Sequence, residues 1–260
     1  MRVEVLISCM HQKDASIVAR TNVQSDVLVV NQCDRDGYDE FTFINKSGKS
    51  CLARIIHTTE RGLSKSRNMA LKNAKGDVCL ICDDDEVMED DYVEKIVVAF
   101  EKYQKEQIIA FRLIHPSRKF SEKTYRVGFL QTAGLGSWQI AFRRMEIVGK
   151  VTFCEKMGAG TGNGGGEENK FLVDCIKLGL KIRYVPSLIA SVKQTESTWF
   201  HGYTQQYWIS RGWTAKMIYG IFFGYIYIWY IVLFRNRRID KTNNRFHQLV
   251  WLHRGFVENR

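Results

Sequence analysis

Short apolar, β-branched runs that alternate with helical patterns constrain this chain more than any other feature. Residues 3–8, 26–30, 54–58 and 77–82 read as strands bounded by polar residues. Between the last two, Leu63, Ala70, Leu71 and Ala74 recur at helical spacing, and Gly76 fits the C′ position that closes a helix. A second helix is expected over about 91–103 and a strand over 108–114. Strand, helix, strand, helix predicts an α/β fold, a Rossmann-like and mostly parallel sheet flanked by helices. Ligands of such sheets bind off the carboxyl ends of the strands.

At 260 residues the chain has room for one large α/β domain with an appendage. Its two prolines, Pro116 and Pro186, form no linker. Seven cysteines at irregular spacing do not suggest a disulfide framework. Cys79 and Cys82 lie three apart in a strand and so point to opposite faces, unable to grip one metal. The first seven residues are too short and too acidic a run for a signal peptide, and a reducing, cytosolic setting is expected. Half of the net charge of +10 sits in residues 235–260, where seven Lys or Arg meet two acids. Such a tail suits an anionic membrane surface or nucleic acid, and the apolar stretch before it favours the membrane.

The run Cys82-Asp-Asp-Asp-Glu86 sets four carboxylates directly after a buried strand. Crowded acids repel one another and raise their own pKa values unless a cation joins them. Carboxylates together with phosphate oxygens are what Mg²⁺ or Mn²⁺ prefers. A solvated acidic turn that serves the dipole of the next helix is the other reading.

Upstream, Glu60-Arg-Gly-Leu-Ser-Lys-Ser-Arg-Asn-Met-Ala-Leu-Lys-Asn-Ala-Lys-Gly-Asp77 runs into this turn. The stretch resembles the family-two glycosyltransferases of GT-A fold, in which a Gly-x-Ser-x-x-Arg-Asn helix leads to an Asp-x-Asp-Asp turn. The resemblance implies that Asp85 ligates a divalent metal, Mn²⁺ or Mg²⁺, bridging the donor diphosphate. It implies that Asp83 contacts the ribose or the metal, that Arg67 helps hold the nucleotide, and that Arg61 and Asp84 belong to the same set. Family members carry an aspartate near the end of the second strand; here Gln32 occupies the place and offers a donor and an acceptor to a uracil edge. Asp34 is the alternative, and Ser8 can hydrogen-bond the base, although no aromatic follows it for stacking.

A second pair of carboxylates follows the loop Gly158-Ala-Gly-Thr-Gly-Asn-Gly-Gly-Gly-Glu-Glu-Asn169, with Phe171, Leu172, Cys175 and Ile176 at helical spacing beyond it. First-turn acids can simply offset a helix dipole. The resemblance implies more: Glu168 matches the family's base aspartate, which takes the proton of the acceptor hydroxyl in an inverting transfer, and Glu167 supports the acceptor or the loop. Trp138 resembles a sugar-pocket residue and fits core packing equally. His201 is a candidate to complete the metal sphere.

Residues 217–234 carry no charge, four tyrosines and Trp229. They suit a helix lying in the inner membrane leaflet, with cations on both flanks, or a buried helix of the core or an oligomer interface. The expected division is a GT-A catalytic domain over 1–195, with a nucleotide-sugar half to about 115 and an acceptor half over 116–195. A helical, membrane-associating segment follows over 196–260. The expected protein is a peripheral, cytoplasmic glycosyltransferase of surface or capsular polysaccharide synthesis. Its partners would be a nucleotide-sugar donor, a glycan or polyprenyl-linked acceptor and the inner leaflet, with no nucleic acid. A sugar nucleotidyltransferase, or a non-enzymatic basic membrane or nucleic-acid binder, is the alternative. The first lacks a glycine-rich triphosphate loop after the opening strand, and the second has no use for two carboxylate sites.

Overall fold

The structure is a computed structural model that describes residues 1–116, 118–163, 165–193, 202–235 and 244–258; His201 lies outside the described residues. In chain order the strands and helices are β1 (Val3–Met10), α1 (Ile17–Arg20), β2 (Asp26–Gln32), β3 (Gly37–Ile44), β4 (Ser50–Thr58), α2 (Leu63–Asn73) and β5 (Val78–Asp83). Then come β6 (Glu86–Met88), α3 (Tyr92–Lys102), β7 (Ile108–Ile114), β8 (Tyr125–Val127), β9 (Ile140–Arg143) and α4 (Arg144–Ile147). α5 (Glu167–Lys177), β10 (Ile182–Val192), α6 (Gln205–Tyr230) and α7 (Arg245–Val257) complete the chain.

The strands join one sheet in the order β3-β4-β2-β1-β5-β9-β7-β10-β6, with β8 on β10. β4, β2, β1 and β5 run parallel, as do β7 and β10, while β3, β6, β8 and β9 pair antiparallel. Alternation along β1 shows why both faces are covered. Val3, Val5, Ile7 and Cys9 enter one buried cluster with Tyr92, Ile96 and Phe100 of α3. Leu6 enters another with Ala70 and Leu71 of α2 and Phe171, Leu172 and Cys175 of α5. Cys79 and Cys82 fall in different clusters, so they do face opposite ways.

β1 leads outward to β2 and β4, and the chain then crosses to β5 on the other side of β1. That reversal lies between β1 and β5, and α/β sheets bind ligands in the crevice at the carboxyl ends of the strands flanking such a point. In that register Ser8 stands opposite Asp83.

Two expectations change. α2 ends at Asn73, and Gly76 is not its left-handed C′ residue, because its φ is not positive. Glycine is required there by crowding: a Cβ would lie 2.7 Å from Glu4 Cβ and 2.9 Å from the Val78 carbonyl oxygen. That crowding surrounds a buried ion pair, Arg54 Nη2 donating to Glu4 Oε1 at 2.6 Å, while Glu4 Oε2 accepts from Gly76 N. The apolar run near the C-terminus is not one uniform helix face either. The helix α6 starts well before it and leaves helical geometry at Gly220, with φ 74° and ψ −173°.

Candidate active site

The Gly-Leu-Ser-Lys-Ser-Arg-Asn motif lies at the N-terminus of α2, and all but Lys65 of its residues make a clip across the crevice. Gly62 N donates to Gln32 Oε1 at 2.7 Å. Leu63 N donates to the Ala159 carbonyl, and Ser64 Oγ to the Met157 carbonyl at 2.6 Å. Ser66 Oγ donates to Ser8 Oγ at 2.9 Å. Asn68 is reciprocally bonded to the Phe153 backbone, at 2.9 and 2.7 Å. These bonds fix the ends of β1 and β2 on one side and the glycine-rich loop on the other.

Arg67 stands at the centre, 3% exposed. Its Nη2 donates to Asp83 Oδ1 at 2.8 Å and its Nη1 to Glu167 Oε1 at 3.0 Å. Burial opposes its charge, but Asp83 and Glu167 outweigh that and hold the guanidinium above its ordinary pKa. The two carboxylate sites expected from the sequence are therefore joined through one side chain. Arg67 Nε, Glu167 Oε2 and Glu86 Oε2 are buried and have no hydrogen-bond partner among the described residues. Such atoms cost stability where a structure does not use them.

Asp83 ends β5, and its N–H donates to Glu86 Oε1 at 2.8 Å. Glu86 is fully buried, and burial, then Asp83, push its carboxyl well above the usual range. Asp85 is pushed up to about 6 by burial and by Asp83, and Asp84 is raised by the same two causes. A divalent cation relieves this kind of crowding. Among the described residues no three His, Cys, Asp or Glu side chains stand close enough to enclose an ion. The side chains of this turn offer oxygen donors alone, the donor chemistry that a hard cation takes together with phosphate and water.

Glu167 and Glu168 open α5 behind Gly166, whose φ of 95° suits glycine. Glu168 keeps part of its surface exposed, and its carboxyl is pushed up to about 8 by desolvation and by the neighbouring Glu167. A carboxyl near 8 suits proton transfer at neutral pH. Gly158, at φ 100°, lets the loop approach: a Cβ there would lie 3.1 Å from Ser64 Oγ and 3.3 Å from Glu167 Cδ.

Other expected residues are less free than the sequence suggested. The oxygen of Gln32 is already used by Gly62 N. Asp34 is exposed and accepts from Arg61 Nη2 at 2.6 Å, while Arg61 Nη1 donates to the carbonyls of Cys33, Thr58 and Thr59. Arg61 is therefore a strap over the ends of β2 and β4. Trp138 is half-buried against the sheet; the His115 ring stacks on it at 5.6 Å and the Arg118 guanidinium lies 5.3 Å from its centroid. The anchoring roles of Ser64, Ser66 and Asn68 were missed from sequence, where they stood only as motif letters.

The family model for glycosyl transferase family 2 matches residues 10–150, more than half of the chain. The chain belongs to glycosyl transferase family 2. Its glycosyltransferase fold is also seen in solved structures. One is S. aureus TarS 1–349, at TM-score 0.57 and 12% identity over 99% of this chain and 71% of that one. TarS 1–349 in complex with UDP-GlcNAc matches at 0.60 and 14%, over 92% and 72% of the two chains. A mycobacterial protein matches at 0.52 and 14%, over 82% and 74%. At these identities the likeness carries the GT-A fold, and the family model carries the activity class. No curated protein sequence matches this family-2 chain.

Proposed function

We propose that this glycosyltransferase moves a sugar from a UDP-sugar to an acceptor hydroxyl, with inversion and with the help of a divalent metal. The observation that carries the reading is the Arg67 bridge, which ties the acidic turn at Asp83 to Glu167, the neighbour of the proposed base. UDP is favoured because the TarS relative is solved with UDP-GlcNAc.

In this reading Ser8, Gln32 and Asp34, with Arg61 bracing Asp34, hold the base and ribose beside Asp83 and Asp84. Glu168 accepts the proton of the acceptor hydroxyl as its oxygen attacks the anomeric carbon. The bond from that carbon to the diphosphate breaks on the opposite face, and the electron pair leaves with the diphosphate. Mn²⁺ or Mg²⁺ bound at Asp85 and Asp83 would neutralise the charge that grows on this leaving group. Glu167 orients the loop through Arg67, and Trp138 lines the sugar side. His201 remains a candidate further ligand. The acceptor would be a glycan or polyprenyl-linked glycan at the inner leaflet of the cell membrane, and the product part of a surface or capsular polysaccharide. The division at about 195 between catalytic domain and C-terminal segment belongs to the same proposal.

Nucleotide-sugar screening for UDP release, with and without Mn²⁺, tests the reading. Release should stop with EDTA and in Asp85→Asn, which keeps the fold and loses a charged ligand. Full activity of that variant in saturating Mn²⁺ removes Asp85 from the metal site. Product NMR should show the anomeric configuration opposite to the donor's, and retention refutes the mechanism.

A further inference from the structure

Before its kink at Gly220, α6 is seated on the start of α5. Trp213 and Ile218 are buried with Met157, just before the glycine-rich loop, and with Val173 of α5. A Cβ on Gly166, two residues before Glu168, would lie 2.8 Å from Thr214 Cγ2. Arg211 precedes Thr214 by one helical turn and so shares its face.

This arginine is partly buried, and its Nε donates to the Tyr207 hydroxyl at 3.2 Å, with the guanidinium 5.6 Å from the centroid of that ring. Among the described residues its Nη1 and Nη2 donate to no protein atom. A buried structural arginine ordinarily has its donors occupied. Burial opposes the charge of Arg211, and Tyr207, Tyr227 and then Glu168 hold it up. The guanidinium therefore lies within electrostatic reach of Glu168, yet no ion pair joins the two.

The kink supplies the rest of the frame. Eight residues of unbroken helix rise ~12 Å, but the rings of Tyr219 and Tyr227 stand only 4.9 Å apart across Gly220. Tyr219 also reaches the Thr132 side chain, and Asn169, beside Glu168, donates to the Thr132 carbonyl at 2.5 Å. All three tyrosines keep part of their surface exposed, as Arg211 does.

We infer that Arg211, framed by Tyr207, Tyr219 and Tyr227, is an acceptor subsite that binds an oxyanion, a phosphate or a carboxylate, carried by the acceptor glycan. A guanidinium with two uncommitted nitrogens presents a fork that matches such a group, and phenol hydroxyls can donate beside it. The same charge offsets the repulsion that an oxyanion would exert on Glu168. The assignment to the acceptor rests on the proposed reading of Glu168 as base; the preference for an anion does not.

The test is calorimetric titration of the full chain with glucose, glucose 1-phosphate and glucuronate, the donor site being filled beforehand with UDP and Mn²⁺. Wild type should bind at least one of the two anions ~10-fold or more tighter than glucose, the scale of a hydrogen bond to a charged group. Which anion is preferred separates phosphate from carboxylate. Arg211→Met should bind all three alike, and Arg211→Lys, which keeps the charge and loses the fork, should fall between. UDP affinity, measured alongside, reports whether each variant has folded; if Arg211→Met has not, Arg211→Lys decides. Equal affinity of the wild type for the three sugars, absence of binding to all of them, or a preference that survives in folded Arg211→Met overturns the inference. So does a folded Arg211→Lys that matches wild type where Arg211→Met has not folded. A chain that takes up UDP and shows no anion preference loses the subsite and keeps the transferase. If UDP does not bind, the donor reading falls, and the same titration without UDP still decides the subsite.

Discussion

Arg67 has both terminal nitrogens on carboxylates in a buried setting, so its removal acts on two sites at once. Arg67→Met leaves Glu167 buried and uncompensated, whereas Asp83 is partly solvated. Losing one partner of a buried pair costs about 3–5 kcal/mol, and the urea midpoint should fall accordingly. Adding Glu167→Gln should return part of that loss, because the stranded charge is gone. A double variant no more stable than Arg67→Met would show that the bridge is not what Arg67 contributes. Glu168 makes a separate prediction. A base works ionised, and with its carboxyl at about 8 the ionised fraction falls roughly tenfold per pH unit below that value. kcat/KM should climb with pH and level off above about 8, and Glu168→Gln should lower turnover ~10²-fold or more and flatten the profile. If Glu167→Gln is dead and Glu168→Gln active, the two acids exchange roles. At this scale residue types were legible and partners were not. Ser66 and Asn68 were visible as motif letters, but their bonds to Ser8 and Phe153 exist only once β1 and the loop have been brought to α2. Gln32 and Arg61 read as ligand groups from sequence, yet Gln32 Oε1 and Arg61 Nη1 are already bonded to backbone.

Among the elements, the parallel strands were readable because burial on both faces writes a largely apolar run, as in β1, β2, β5 and β7. β3 escaped because it is an exposed edge strand in which only Phe41 and Phe43 turn inward, after the exposed pair Asp39 and Glu40, and β9 because four residues carry too little pattern. The apolar run of 217–234 was seen as one object, and the bend that splits it comes from a single glycine at positive φ. Before that bend α6 crosses α7 at closest approach through two glycines. A Cβ on Gly212 would lie 1.9 Å from the Leu252 oxygen, and one on Gly255 1.8 Å from the Ile209 oxygen. Gly212→Val must therefore push the helices apart. Amides of α7 should lose hydrogen-exchange protection in that variant, and trypsin should cut after Arg245 or Arg254, while the sheet stays protected. Unchanged protection of α7 would mean that the crossing relaxes without cost.

For the molecule as a whole, the proposed base should make stability depend on pH in a definite direction. Glu168 ionises at its ordinary value of 4.5 when unfolded and at about 8 when folded. Between those values the unfolded chain has released a proton that the folded chain keeps, so stability falls as pH rises. The contribution is complete below about 4.5 and gone once pH has passed about 8. The net charge of +10 works against this, since acidification adds positive charge and self-repulsion to a chain already basic. Comparing wild type with Glu168→Gln cancels that shared background. Thermal melts from about pH 5 to about pH 9 at matched ionic strength should show the variant gaining on the wild type as pH increases, by several degrees at the alkaline end, with each kcal/mol worth ~2–4 °C in a chain of this size. Such a gain, paired with lost turnover, is the trade expected where a site holds a charge in an unfavourable place for chemistry. Parallel curves for the two proteins would mean that Glu168 titrates alike in both states, and the alkaline limb of the rate profile would then need another owner.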